Sequence, residues 1–190
     1  MMNSGKILEE ISGRRSFRAM STREIDRKAL DRIIKAAGLA PSCFNKQPWR
    51  YILVQSESGR EKIHQGLKEN NSWAKKAPAY IMVVTAEHLD CEIPDGRHYA
   101  EFDTGMSVFS LLIQAWSEGI IAHPIAGYSQ NVIKQAFDIP DEMKLLTVLI
   151  LGYKDSGAES GLTPKQLESE RGPRVRNPSA DWFCEEKWDF

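Results

Sequence analysis

Apolar residues recur along this chain with two rhythms, and the change from one to the other lays out the elements. Between Asp26 and Gly38, Leu30, Ile33, Ile34 and Ala37 fall at i, i+3, i+4 and i+7, one helical face, with Asp26 placed to cap the start and Gly38 at the stop. Arg50 to Gln55 (RYILVQ) reads as a strand, and Ser58-Gly-Arg-Glu61 has the form of a capping box that opens a short helix ending near Leu67. Ala79 to Ala86 (AYIMVVTA) and Leu145 to Leu151 (LLTVLIL) are continuous apolar runs, as expected of strands covered by helices on both faces. From His98 to Gly119, the residues Tyr99, Phe102, Met106, Phe109, Leu112, Ile113 and Trp116 form a helical stripe too wide for a surface helix of a small domain. That width predicts burial, partly against another subunit. Ser129 to Phe137 reads as a further capped helix, closed by Asp138-Ile-Pro140.

After Tyr153 the texture changes. The chain becomes polar and rich in Gly, Pro and charge, then ends in WFCEEKWDF, so residues 1–153 read as a core and 154–190 as an arm of the same domain. Trp182, Phe183, Trp188 and Phe190 are unsuited to water, and the reading is that the arm crosses to a partner subunit; docking on its own subunit is the alternative.

A length of 190 residues with 42% hydrophobic content suits one domain with a full core. Lys and Arg total 25 against 26 Asp and Glu, a balance without the footprint of a nucleic-acid or anionic-membrane partner. Cys43, Cys91 and Cys184 are far apart, odd in number and outside any metal-ligand spacing, which speaks against a disulfide framework or a zinc site and for a reducing compartment. No stretch reaches the roughly 20 apolar residues of a membrane span, and the N-terminus has acidic residues where a signal peptide has an apolar run. The expectation is a cytoplasmic protein.

Three constellations carry chemistry. Gly13-Arg-Arg-Ser-Phe-Arg18 gathers three guanidinium groups and a hydroxyl into a dense anion site, since the planar fork of Arg matches phosphate oxygens; a solvated basic patch is the plainer reading. Arg174-Val-Arg176, between Pro173 and Pro178, offers a second cationic pair, and together the clusters suit a phosphate monoester. Neither is a Walker A or GxGxxG loop, so no nucleoside triphosphate or Rossmann-bound dinucleotide is indicated. In Ala40-Pro-Ser-Cys-Phe-Asn-Lys-Gln-Pro-Trp49, the groups of Ser42, Asn45 and Gln47 both donate and accept, which suits the edge of a heteroaromatic ring, with Pro41 and Pro48 fixing the loop. An ordinary polar turn is the alternative there.

Arg14-x-Ser16, Ala40-Pro-Ser-x-x-Asn-x-Gln-Pro48, His123-Pro-Ile-Ala-Gly127, Gly152-Tyr153 and the basic pair near the C-terminus occur in order over nearly the whole chain, and the chain resembles the nitroreductase family. The resemblance implies an α+β, three-layer fold with a central mixed sheet flanked by helices. It also implies an intertwined homodimer with exchanged C-terminal arms and one FMN at each of two shared sites. By that likeness Arg14, Ser16, Arg174 and Arg176 hold the FMN phosphate with Arg15 beside them, and Arg18 lies near the pyrimidine edge. Pro41, Ser42, Cys43 and Asn45, with Gln47 in the same loop, come from the partner and face the dimethylbenzene end. Ala126 and Gly127 supply backbone contacts near N5. Two departures stand out: Ala126 occupies a place where some relatives carry an acidic residue, and Asn70-Asn-Ser-Trp-Ala-Lys-Lys76 leaves the register open between Asn70 and Asn71.

The activity implied is transfer of two electrons from NADH or NADPH to a small organic acceptor such as a nitroaromatic or a quinone, with ping-pong kinetics and no protein nucleophile. Arg18 would stabilise the reduced ring. His64, His88 and His98 read as surface residues, His123 as a candidate near the ring, and Cys43 as a packed loop residue. Competing readings are a specialised relative (a reductive dehalogenase, an enone reductase or a flavin-fragmenting enzyme), an FMN-sensing module without turnover, and an anion-binding domain without flavin.

Overall fold

Four strands form one sheet in the order β1-β2-β4-β3, in a computed structural model that describes residues 6–188: β1 Arg50–Val54, β2 Ala79–Thr85, β3 Ile121–Ile125 and β4 Lys144–Gly152. The two apolar runs are the central pair, and every residue of β2 is buried. Neighbours in β2 serve opposite faces, as the period of a strand requires. Tyr80, Met82, Val148 and Ile150 enter one core with Ile63, Trp73 and Ile133. Ile81, Val83, Leu149 and Leu151 enter the other, with Leu30, Ile33, Leu111 and Ala115. A sheet between two helical layers is the result.

Among the described residues all three pairings are antiparallel, where the sequence reading expects a mixed sheet. A continuous apolar run reports that both faces are covered; strand direction is set by the connections, and those here return the chain antiparallel.

The helices are α1 Glu9–Gly13, α2 Arg27–Ala37, α3 Glu57–Gly66, α4 Ala100–Ser117, α5 Gln130–Ala136 and α6 Pro164–Arg171. Asp26 precedes α2 as foreseen, but its side chain makes no capping bond. The capping box expected at Ser58 is replaced by Ser56, whose hydroxyl accepts from Gly59 N at 3.2 Å; the serine two places earlier is the one left outside the helix with extended backbone. On α6, Thr163 and Gln166 do form a capping box, with Pro164 in the first turn. The segment 123–127, expected as a loop, begins as edge strand β3, where Pro124 is tolerated because an edge strand needs fewer ladder donors.

The wide stripe predicted on α4 is buried in its own chain at Leu112, which joins Leu111 and Ala115, outside the stripe, against α2 and the sheet, whereas Phe102 and Phe109 are 61% and 46% exposed. In the tail, Trp182, Phe183 and Trp188 are exposed, so these rings do not enter the core of their own chain; Phe190 lies outside the described residues. Cys43 and Cys91 form a disulfide with Cα atoms 5.9 Å apart, contrary to the expectation of reduced cysteines. Sequence spacing carries no information about that approach.

Candidate functional site

The chain leaves α1 at Gly13, whose Cα packs so closely under Trp116 that a Cβ would come within 3.1 Å of the indole nitrogen. The next five residues, Arg14 to Arg18, form one wall of a cavity of about 570 Å³. The opposite wall is the end of α6 and the stretch Gly172 to Arg176, which brings together the two basic clusters of the sequence. Arg14 donates to Ser16 Oγ at 3.2 Å, and Arg174 donates to the carbonyls of Ile11, at 3.2 Å, and Arg14. Burial, and then the cations Arg174 and Arg176, push the Arg14 guanidinium below its ordinary pKa. Six cationic side chains against one carboxylate, Glu168, favour an anion between them.

Arg15 is turned otherwise, donating to the carbonyls of Ser169 and Gly172 at 3.0 Å each, so that it clamps the loop to α6. The buried Glu170 carboxylate, which no local pattern singles out, accepts from the backbone N–H groups of Arg18 and Ala19. Arg18 also lines a smaller space of about 90 Å³ with Ser72, Trp73 and Lys76.

A second set of contacts ties this loop to residues 123–127. His123 Nδ1 lies 3.0 Å from Phe17 O, and its ring meets that of Trp73 at a centroid distance of 4.8 Å. Burial first, and then Arg18 and Arg14, pull the imidazole down to about 4 despite the bond to Phe17, so it is neutral at pH 7. Neutral and enclosed, His123 is a joint between segments. Asn71 Nδ2 donates to Gly127 O at 3.0 Å, and its Oδ1 accepts from Trp73 Nε1 at 3.2 Å. Asn71 is thereby committed to the protein, while the exposed Asn70 flanks Gly127, its Oδ1 3.0 Å from where a Cβ would stand. Ala126 is exposed beside it.

The 40–48 loop lies elsewhere. Ser42 Oγ accepts from Gln47 N at 3.0 Å, and Gln47 Nε2 donates to Asn45 O and Oδ1 at 3.1 and 3.0 Å. Phe44, Asn45 and Gln47 hold φ of 46°, 57° and 51°, in the left-handed region uncommon for such residues. Pro41 belongs to an open apolar hollow with Phe102, Met106 and Phe109 of α4, and none of Pro41, Ser42, Cys43, Asn45 or Gln47 lines the arginine cavity of its own chain.

The Nitroreductase family description matches residues 11–153. A protein of Methanothermobacter thermautotrophicus with the provisional name NADH dehydrogenase/NAD(P)H nitroreductase is 28% identical over 87% of this chain and 87% of its own length. The iodotyrosine deiodinase of Haliscomenobacter hydrossis is 22% identical over 83% of each. A crystal structure described as an oxidoreductase containing FMN superposes with a TM-score of 0.85 at 29% identity, over 99% of this chain and 96% of that one.

Proposed function

The chain belongs to the nitroreductase family, and from that premise we propose that it is an FMN-dependent oxidoreductase that acts as a homodimer on NADH or NADPH and a small organic acceptor. One observation carries the reading: Arg14, lowered first by burial and then by Arg174 and Arg176, lines with them a cavity that suits a phosphate monoester. The FMN in the similar crystal structure supports it.

In this proposal Arg14, Ser16, Arg174 and Arg176 hold the phosphate, and Arg15 fixes the wall on which Arg14 stands. Arg18 reaches the pyrimidine edge, where its fixed charge favours the electron-rich ring. Asn70 and the backbone of Ala126 and Gly127 serve the face near N5. Pro41, Ser42, Cys43, Asn45 and Gln47 serve the other end from the partner subunit, in accord with their distance from the cavity of their own chain. FMN, when bound, would supply the two-electron chemistry between the nicotinamide and the acceptor, with ping-pong kinetics. The protein binds, orients and sets the local charge. The exposed Phe102 and Phe109 and the tail aromatics suit a dimer interface with exchanged arms. A cytoplasmic setting completes the reading.

The test is an absorbance spectrum of FMN-loaded protein, taken without oxygen before and after NADH or NADPH and again after nitrofurazone or a quinone. Bands that bleach and return are expected; bands that never bleach would leave a binding or sensing module, and no bands would remove FMN. The likeness to a deiodinase favours one second reading, reductive dehalogenation, tested by halide release from a halotyrosine.

A further inference from the structure

We propose that the Cys43–Cys91 pair is a redox-active site that positions the Pro41 to Pro48 loop, so that reduction of the disulfide releases the loop. Its bearing on flavin binding rests on the function proposed above; the release itself does not.

The argument begins with asymmetry across the bond. On the Cys91 side, the Asp90 carboxylate accepts from Cys91 N at 2.7 Å and from Tyr99 N at 2.6 Å, which pins this segment to the start of α4. Burial alone would raise the Asp90 carboxyl, yet these backbone bonds hold it below its ordinary value. Cys91 is itself 5% exposed. On the Cys43 side, Cys43 N donates to the buried Asp103 Oδ2 of α4 at 2.8 Å. The loop beyond it keeps Phe44, Asn45 and Gln47 at positive φ, and Gln47 bonds within the loop, to Ser42 and Asn45. Such a conformation persists only where the surroundings over-determine it. The far end is fixed independently, by Pro48 O accepting from Thr85 Oγ1 at 2.9 Å and by the buried Trp49. Breaking the disulfide therefore frees residues 42–47 while the Pro48–Trp49 flank and the Cys91 segment stay in place.

The chemistry is thiol–disulfide exchange with a dithiol reductant. A thiolate of the dithiol attacks Cys43 Sγ, on the more exposed of the two cysteines. The S–S bond breaks, and its electron pair leaves on Cys91 Sγ, which takes a proton. The second thiol of the reagent then closes onto the first, releasing Cys43 as a thiol. Two electrons and two protons pass to the pair, and the reagent becomes a cyclic disulfide.

Lys46 is exposed within the loop, so trypsin reports its release without any flavin. The oxidised protein, denatured without reductant, should show one thiol, Cys184, and the dithiothreitol-treated protein all three. Cleavage after Lys46, scored by mass on fully reduced samples so that cut chains separate, should run about tenfold faster in the native reduced protein, as expected when a local opening becomes cheap. Reoxidation should restore the slow rate, and Cys43→Ser and Cys91→Ser should each cleave fast in both conditions. Three thiols before reduction, or equal cleavage in the two states, would overturn the proposal. With FMN, reduction should weaken binding about fivefold or more, as an opened loop must be reordered on binding; unchanged affinity with fast cleavage would sever the loop from the site. A protein that binds no FMN in either state removes the flavin reading, and the thiol and cleavage results then judge the release by themselves.

Discussion

The Glu170 carboxylate accepts from the Arg18 backbone amide through both oxygens, at 2.9 and 3.2 Å, across 152 residues of chain. Oε1 also takes the Ala19 amide at 3.1 Å, so one buried side chain from α6 satisfies two consecutive N–H groups in the loop that forms the cavity wall. Glu170→Ala leaves the buried Ala19 donor and the part-buried Arg18 donor without their partner, at a cost of about 2–4 kcal/mol. Urea denaturation should show that loss, and FMN titration a weaker site, since Arg18 loses its backbone anchor. Equal stability of the variant would mean that water or a shift of α6 replaces the carboxylate.

Arg14 should separate binding from folding. A charge-assisted hydrogen bond contributes about 2 kcal/mol, so Arg14→Ala should weaken FMN roughly 30-fold. The flavin-free protein, relieved of repulsion by Arg174 and Arg176, should melt no lower than the wild type. Fluorescence titration and thermal melts of the same samples check the pair of outcomes. A variant that melts markedly lower but binds FMN as before would show that Arg14 serves the fold.

His123 gives stability a pH dependence of definite sign. Its pKa falls from 6.5 to about 4 on folding, so between those values the unfolded chain holds the extra proton. Stability from this group is complete above about pH 6.5 and declines toward pH 4, by up to about 3 kcal/mol. Burial lowers His64 as well, adding to the slope in the same direction. The contribution of His123 is isolated by comparing wild type with His123→Asn, which retains a donor for Phe17 O and cannot titrate. Urea midpoints across pH 4 to 8 should fall less steeply in the variant; parallel curves would show that His123 titrates alike in the folded and unfolded chain.

Gly127 stands where a Cβ would strike Asn71 Nδ2, and Asn71 is held by bonds to Gly127 O and Trp73. Gly127→Ala should destabilise by about 1–3 kcal/mol through overpacking. Adding Asn71→Ser, which vacates the space, should recover part of the loss in a thermal melt. Additive losses would place the strain elsewhere.

What the sequence disclosed followed from local causes. The central strands were legible because β2 and β4 are buried on both faces, which leaves only apolar residues, and α2 because its stripe is narrow and complete. Strand β3 was obscured by His123 and Pro124, which an edge position permits. The basic walls of the cavity were visible as charge runs, whereas Glu170 has no local mark: its role comes from a contact 152 residues away. The register between Asn70 and Asn71 was open until the bond to Gly127 committed Asn71 to the backbone. The pairing of Cys43 with Cys91 needed the approach of two loops across 48 residues, which spacing does not encode.

The cavity collects Arg14, Arg15, Arg18, Lys165, Arg174 and Arg176 around one carboxylate, Glu168. An anion that fills it stabilises the fold by mass action, about 2.7 kcal/mol at a hundredfold excess over its dissociation constant. Chains synthesised while that anion is scarce spend more time open to proteases than chains that find it at once. On the function proposed above, the steady-state abundance of this protein in a cell should follow the supply of that anion, without any sensor acting on its gene.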